Sequence, residues 1–215
     1  SDGFAQNPIT IKDLFTMSAG LDYALCDDAI NKAKADGKKS TRDLVGAMSQ
    51  KVLGFEPGTR FRYSLCHDVL GALIEIWSGK KLGEYFKENI FIPLGMNSTF
   101  FGVPKDAERL NRMAALYSRD ENGNPRKVGL SCAYNISDEY ESGGAGLISC
   151  TEDYALFLDA LACGGVSKTG YRILKEETIN LMKTNQLSGM QSEDFFELRK
   201  GYGYGLGVRT HIDKE

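Results

Sequence analysis

Apolar positions recur at helical spacing along most of the chain and alternate only near its middle and its end. Ile11, Leu14 and Phe15 share one face of a short helix; Thr10 and Asp13 have the N-cap and N3 spacing of a capping box, and Gly20 can close the end. An Ala-rich helix is predicted from Asp28 to Ala35, stopping at Gly37. Another starts near Ser40, with Asp43 three residues on, and packs Leu44, Val45 and Met48. Pro57-Gly58 is a turn signal, because proline presets φ at one central position and glycine tolerates positive φ at the next. The strongest helix follows Tyr63: Val69, Leu70, Leu73, Ile74, Ile76 and Trp77 give a broad apolar face that ends at Gly79. A following helix carries Leu82, Tyr85, Phe86 and Ile90 and is expected to break at Pro93-Leu94-Gly95-Met96.

The pattern then changes. Met113 to Ser118 and Arg126 to Val128 flank Asp120-Glu121-Asn122-Gly123, which predicts a small β-hairpin around an Asn-Gly turn. Leu130 to Ser142 has no clear period and reads as loop. Gly143 to Ile148 reads as a glycine-rich strand where another backbone comes close. Ser149 with Glu152 predicts a capping box for a helix from Tyr154 to Leu161, ended by Gly164-Gly165. A further helix covers Glu176 to Thr184, and Tyr202 to Arg209 reads as one core strand. The sum is a mostly α unit with a few strands, without internal repeats or a low-complexity linker.

Composition narrows the function. At 215 residues, 42% hydrophobic and 26% charged, the chain can build one globular core or two small ones. A net charge of −3, with Lys38-Lys39 and Lys80-Lys81 as the densest basic runs, leaves no footprint for nucleic acid. The five cysteines, at 26, 66, 132, 150 and 163, form no CxxC pair, and there are only two histidines, which argues against a structural zinc site. An odd, unclustered set fits a reducing compartment better than a disulfide framework. No stretch approaches the roughly 20 apolar residues of a membrane span, and no signal-peptide pattern opens the chain. The start at Ser1, without an initiator methionine, reads as an excised piece of a larger protein.

Glu56 to Gly71 carries the most chemistry: a Pro-Gly turn, a short extended stretch, then Tyr63 just before an amphipathic helix. Read alone, Tyr63 is either a half-buried aromatic or a proton-transfer group. A free tyrosine has a pKa near 10, so a basic role needs cations nearby. A helix N-terminus offers about 0.3–1 kcal/mol. A lysine ammonium about 4 Å away would add roughly 4 kcal/mol at an effective dielectric of 20, or about three pKa units, so the lysine is the larger effect. Ser64, His67 and Asp68 lie within one helical turn, whereas a Ser-His-Asp triad needs groups converging from different elements. Ser64 is instead expected to cap its helix. The alternating glycines from Gly201 to Gly207 lack the strand-turn-helix context of a dinucleotide site.

The segment around Tyr63 resembles the tyrosine motif of the serine β-lactamase-like hydrolases, a superfamily that includes class C β-lactamases, D-alanyl-D-alanine carboxypeptidases and family VIII carboxylesterases. Ile9 to Leu21 is similar to the stretch after that family's nucleophile helix. Phe91-Ile92-Pro93-Leu94-Gly95-Met96 resembles its helix stop, Gly143 to Tyr154 its strand-to-helix joint, and Gly205-Leu206-Gly207 the strand approaching its last motif. The resemblance implies a helical domain (1–142) with a small hairpin, followed by strand and helices (143–215) of an incomplete α/β domain. It implies Tyr63 as a catalytic residue and Leu65, Gly144 and Ala145 as substrate-binding residues, with no metal or organic cofactor. The implied partner is a small-molecule ester, β-lactam or peptide substrate; no membrane segment is expected in this chain, the charge excludes nucleic acid, and an exposed half-cleft would allow self-association.

Leu65 stands where β-lactamases and carboxypeptidases usually carry Asn, and Tyr-Ser-Leu resembles the carboxylesterase motif, which favours esters. The family's S-x-x-K tetrad and its K-T-G-type strand would lie before and after the matched stretches. Ser78-Gly79-Lys80-Lys81 and Lys168-Thr169-Gly170 imitate them only as strings. The expected function is thus part of a serine hydrolase working through an acyl-enzyme, inactive by itself. The rival is a non-catalytic penicillin-binding-like domain or pseudoenzyme that holds a peptide or sugar.

Overall fold

The computed structural model describes residues 4–24, 27–129 and 136–212. Its helices, in chain order, are α1 (Ile11–Phe15), α2 (Asp28–Ala35), α3 (Thr41–Met48), α4 (Cys66–Ser78), α5 (Leu82–Phe86), α6 (Ile92–Leu94), α7 (Ala107–Arg112), α8 (Thr151–Ala162), α9 (Glu176–Lys183) and α10 (Gly189–Leu198). Six short strands form three antiparallel pairs: β1 (Phe100–Phe101) with β4 (Leu147–Ile148), β2 (Leu116–Arg119) with β3 (Pro125–Val128), and β5 (Tyr202–Tyr204) with β6 (Arg209–His211). The mostly helical reading holds. Leu25, Cys26 and the stretch 130–135, including Cys132, lie outside the described residues, as does the first half of the expected loop.

The local signals that fixed helix starts were side-chain caps. Thr10 and Asp13 close a reciprocal capping box on α1, Asp27 accepts from the Ile30 amide at α2, and Ser40 accepts from the Asp43 amide at α3. Gly20 does not end α1, which closes earlier at Thr16. The predicted hairpin forms with Leu116 opposite Val128 and Arg119 opposite Pro125, and Asp120 Oδ1 accepts from the Asn122 and Asn124 amides inside its turn.

Several further expectations meet a different structure. Ser149 does not cap α8: Cys150 is the N-cap, and the Ser149 hydroxyl pairs with Thr99 Oγ1 at 2.8 Å. Asp153, buried in the first turn of α8, instead accepts from the Ser98 amide and the Thr99 hydroxyl, so its carboxylate serves a neighbouring chain segment. As expected, the helix that starts at α5 stops within Pro93-Leu94-Gly95-Met96: a π-helical turn (Lys87–Phe91) carries the chain from α5 into α6, which ends at Leu94 with Gly95 left-handed at its C-cap. The stretch 202–209 is two strands folded back on each other, with the Gly205 amide donating to the Val208 carbonyl across the turn.

A further correction concerns the face of α4. Its buried positions are Cys66, Asp68, Gly71, Ala72 and Glu75, while Ile76 and Trp77 are exposed. Small residues allow close approach on this side: a Cβ on Gly71 would lie 3.0 Å from Leu82 Cδ2 and 3.4 Å from the Gly143 Cα. Both buried carboxylates have partners. Glu75 accepts from the Leu82 amide and faces Arg42 Nε at 3.6 Å, which offsets much of its desolvation.

Three apolar clusters result. One joins Leu14, Met17, Phe61, Cys66, Phe195 and Tyr204; a second joins Ile30, Leu44, Met48, Leu65, Ile136 and Tyr140; a third centres on Phe91, Leu94, Met96 and Ala160. α4 stands between the first two, contributing Cys66 to one while Leu65, just before its start, goes to the other. No helix among the described residues is long and apolar enough to cross a membrane.

Candidate active site

Tyr63 is held by its neighbours' backbone. The Phe61 amide donates to Asp194 Oδ2, the Arg62 amide to the Met17 carbonyl and the Leu65 amide to the Asp22 carbonyl. Asp194 is itself gripped by Arg60 through two bonds, and that contact holds the Asp194 carboxyl below its usual range. Met17 is the one non-glycine with positive φ (57°) among the described residues, and it is fully buried. Strain of this kind survives only where the surroundings fix it, and here it aims the carbonyl that receives the Arg62 amide. The extended stretch therefore has few alternatives, and it presents the Tyr63 ring outward: 54% exposed, stacked on Tyr23 at 5.7 Å.

The first turn of α4 is where the chain's distant glycine-rich stretches meet. A Cβ on Gly143 would lie 2.1 Å from the His67 carbonyl oxygen, so only glycine fits there. A Cβ on Gly144 would lie 3.0 Å from Asp68 Oδ2, and one on Gly207 3.4 Å from His67 Nε2. The Gly207 amide donates to the Phe15 carbonyl, which ties the end of α1 to the same place. Tyr63, Gly143-Gly144 and Gly207 are thus gathered around one helical turn, although up to 144 residues separate them. Leu147 and Val208, beside these glycines, keep 44% and 37% of their surface exposed, so this side of the molecule is open.

The polar groups of that turn do not form a triad. Ser64 is buried and its hydroxyl lies 3.1 Å from Cys66 Sγ. It does not cap α4; Leu65 occupies the N-cap without a side-chain bond. His67 points toward Phe15 and Gly207, with Nε2 buried and unpaired, and burial holds its pKa below the usual value against the pull of Asp68. Asp68 Oδ1 accepts from the Tyr140 hydroxyl at 2.7 Å and the Ser142 hydroxyl at 2.6 Å. Burial, with the Asp68 charge added, raises the Tyr140 pKa far above normal, and burial raises that of Tyr204. Those two phenols are buried, whereas the Tyr63 ring is exposed.

Of the other expected site residues, Ala145 lines a cleft of about 990 Å³ bounded by Asn97 to Phe100, α7 and Gly146 to Cys150. Tyr63 is not part of that cleft's wall. The amides of Gly144 and Ala145 both donate to the Ser142 hydroxyl oxygen. Leu65 is 2% exposed inside the second apolar cluster, so its side chain does not reach the open surface. Lys51, held between Asp22 and Asp27, is committed to two carboxylates. The two string matches are structural: Lys80 pairs with Glu88 beyond a left-handed Gly79, and Lys168 faces Asp159 beside a tight turn at Gly170. No group of three or more metal-ligating side chains occurs among the described residues. The Asp68-Tyr140-Ser142 cluster was missed from sequence because Tyr140 and Ser142 lie in a segment without periodicity.

Comparison with known proteins places this arrangement. A family model described as Beta-lactamase matches residues 1–213. The chain is 30% identical over 207 residues to the ML-236A carboxylate methylbutanoyltransferase mlcH of Penicillium citrinum, covering 95% of this chain and 46% of that protein. It is 29% identical over 229 residues to esterase EstB of Burkholderia gladioli, covering 95% and 54%. Among solved structures, EstCE1, a hydrolase with promiscuous acyltransferase activity, superposes with a TM-score of 0.75 at 26% identity, covering 97% of this chain and 58% of that one. The chain spans about half the length of the curated relatives it matches.

Proposed function

Since the chain belongs to the beta-lactamase family, whose matched members include esterases and acyltransferases, we propose that it forms the tyrosine-bearing part of a serine hydrolase that cleaves or transfers the acyl group of a small-molecule ester. In this reading a serine and a lysine supplied by the rest of a longer polypeptide complete the site. The serine attacks the ester carbonyl, and the Tyr63 hydroxyl relays the serine's proton toward the departing alcohol. Water or a second alcohol then takes the acyl group from the serine. Gly144 and Ala145 form part of the wall the substrate meets. Leu65, two residues on, contributes by anchoring the start of α4 in the second apolar cluster. The division at residues 142 and 143 into a helical part and a part of an α/β domain belongs to the same proposal.

The observation that carries the reading is the open Tyr63 phenol beside a helical turn on which Gly143, Gly144 and Gly207 converge. The leaning toward esters over β-lactams rests on the esterases and acyltransferases among the relatives named above. The test compares this 215-residue chain with the full-length polypeptide on p-nitrophenyl butyrate, nitrocefin and a fluorophosphonate probe. The chain alone should show background hydrolysis and no labelled serine, and the full-length polypeptide should hydrolyse the ester and label once. A stoichiometric adduct on any serine of the isolated chain would contradict the proposal. Absence of both ester and β-lactam turnover by the full-length polypeptide would favour a binding domain.

A further inference from the structure

The buried Asp68 carboxylate joins two parts of the site that no regular element connects. It lies in the first turn of α4, five residues after Tyr63, and is 1% exposed. Its Oδ1 takes two short bonds, from Tyr140 (2.7 Å) and Ser142 (2.6 Å), which lie 72 and 74 residues further along the chain. The Ser142 hydroxyl, having given its proton to Asp68, uses its lone pairs to receive the amides of Gly144 (3.3 Å) and Ala145 (3.1 Å). Gly143 rests directly on the His67 carbonyl, with no room for a side chain, and a Cβ on Gly144 would press on the second Asp68 oxygen at 3.0 Å. Tyr140 belongs to the apolar cluster that also contains Leu65. A carboxylate bonded by two hydroxyls, each fixed in turn, is a stiff joint, because charge-assisted bonds are shorter and stronger than neutral ones.

We infer that Asp68 is a positioning residue that, through the Ser142 hydroxyl, sets where the Gly144 and Ala145 amides stand relative to Tyr63. The inference rests on the reading of Tyr63 and this turn as one site. Asp68 touches neither substrate nor reacting atoms. Its role is to hold the wall formed by residues 143–145 against the turn that carries the tyrosine, so that a substrate seated on one is aligned with the other. Misplacement by about an ångström in such a wall can cost up to 10²-fold in turnover.

The test uses the full-length polypeptide and three variants, Ser142→Ala, Asp68→Asn and Tyr140→Phe. It reads amide hydrogen exchange at Gly144 and Ala145 and, separately, kcat and KM for p-nitrophenyl butyrate. Ser142→Ala removes one hydroxyl and should speed exchange of the two amides by about 10-fold or more. It should also lower kcat by about 10-fold while changing KM less. Asp68→Asn should move both readouts in the same direction. Tyr140→Phe leaves the Ser142 tether in place, so it should lower the thermal midpoint without faster exchange at these two amides. Should Asp68→Asn fail to fold, Ser142→Ala still decides the matter. Unchanged exchange in Ser142→Ala, or faster exchange with unchanged kcat, overturns the inference. Loss of the Tyr63 reading would show differently, as a Tyr63→Phe variant with normal turnover; the exchange measurement would then still decide whether the tether exists.

Discussion

At the scale of single residues, three side chains around the α4 start have separable consequences. Leu65 is enclosed by Ile30, Leu44, Met48 and Tyr140. Asparagine has nearly the same size, but its amide would be buried there without partners. Leu65→Asn should therefore lower stability by about 1–3 kcal/mol in urea unfolding, together with any change in substrate preference. A variant as stable as the original would place Leu65 outside the core. His67 makes a different prediction. Burial depresses its pKa, so the unfolded chain binds the proton more readily than the folded one. Stability from this group is present above the unfolded value of 6.5 and declines as pH falls below it toward the lower folded value. His67→Gln should remove that part of the pH dependence between about pH 7.5 and 5, measured by urea midpoints. Parallel pH curves for the two proteins would contradict the assignment. Tyr63, with its neighbours pinned to Asp194, Met17 and Asp22, was legible in the sequence as a motif. The strained Met17 that helps aim it was not, since nothing in a methionine's chemistry announces positive φ.

At the scale of elements, the starts of α1, α2 and α3, each with a side-chain cap, were read almost to the residue, because the signal lies within four positions. α2 ran from Asp28 to Ala35 as expected, and α3 opened after Ser40. α7 and α10 escaped although Asp106 and Ser188 cap their starts, because charged residues interrupt their apolar positions and leave no clear period. The face of α4 was misread for a physical reason. Counting large apolar residues pointed to Ile76 and Trp77, but the helix buries the side where Gly71 and Ala72 allow close approach and where Asp68 and Glu75 find partners. A paired comparison tests this. Gly46, inside α3, has nothing within 4 Å of a built Cβ, so Gly46→Ala should stabilise by about 0.5–1 kcal/mol through helix propensity alone. Gly71→Ala gains the same propensity but presses on Leu82 and Gly143, and overpacking of this kind costs about 1–3 kcal/mol. Chemical denaturation should move the two variants in opposite directions. Equal stabilisation would mean that α4 is not closely packed against residue 143.

At the scale of the whole molecule, the chain brings together glycine-rich stretches far apart in sequence and leaves the assembled side open. The order of those stretches was legible, since each carries its own motif. Their convergence on His67 and Asp68 was not, because a contact between residues 68 and 142 leaves no mark at helical or strand period. The most direct measurement is the turnover of p-nitrophenyl butyrate by the full-length polypeptide with Tyr63 intact and with Tyr63→Phe, alongside their thermal midpoints. Phenylalanine keeps the ring and its stacking on Tyr23 and removes only the hydroxyl. The account predicts a fall in kcat/KM of about 10²–10⁴, the range of a positioned acid or base, with the midpoint unchanged. Near-normal kcat/KM in Tyr63→Phe would make the tyrosine structural and contradict the account at its centre.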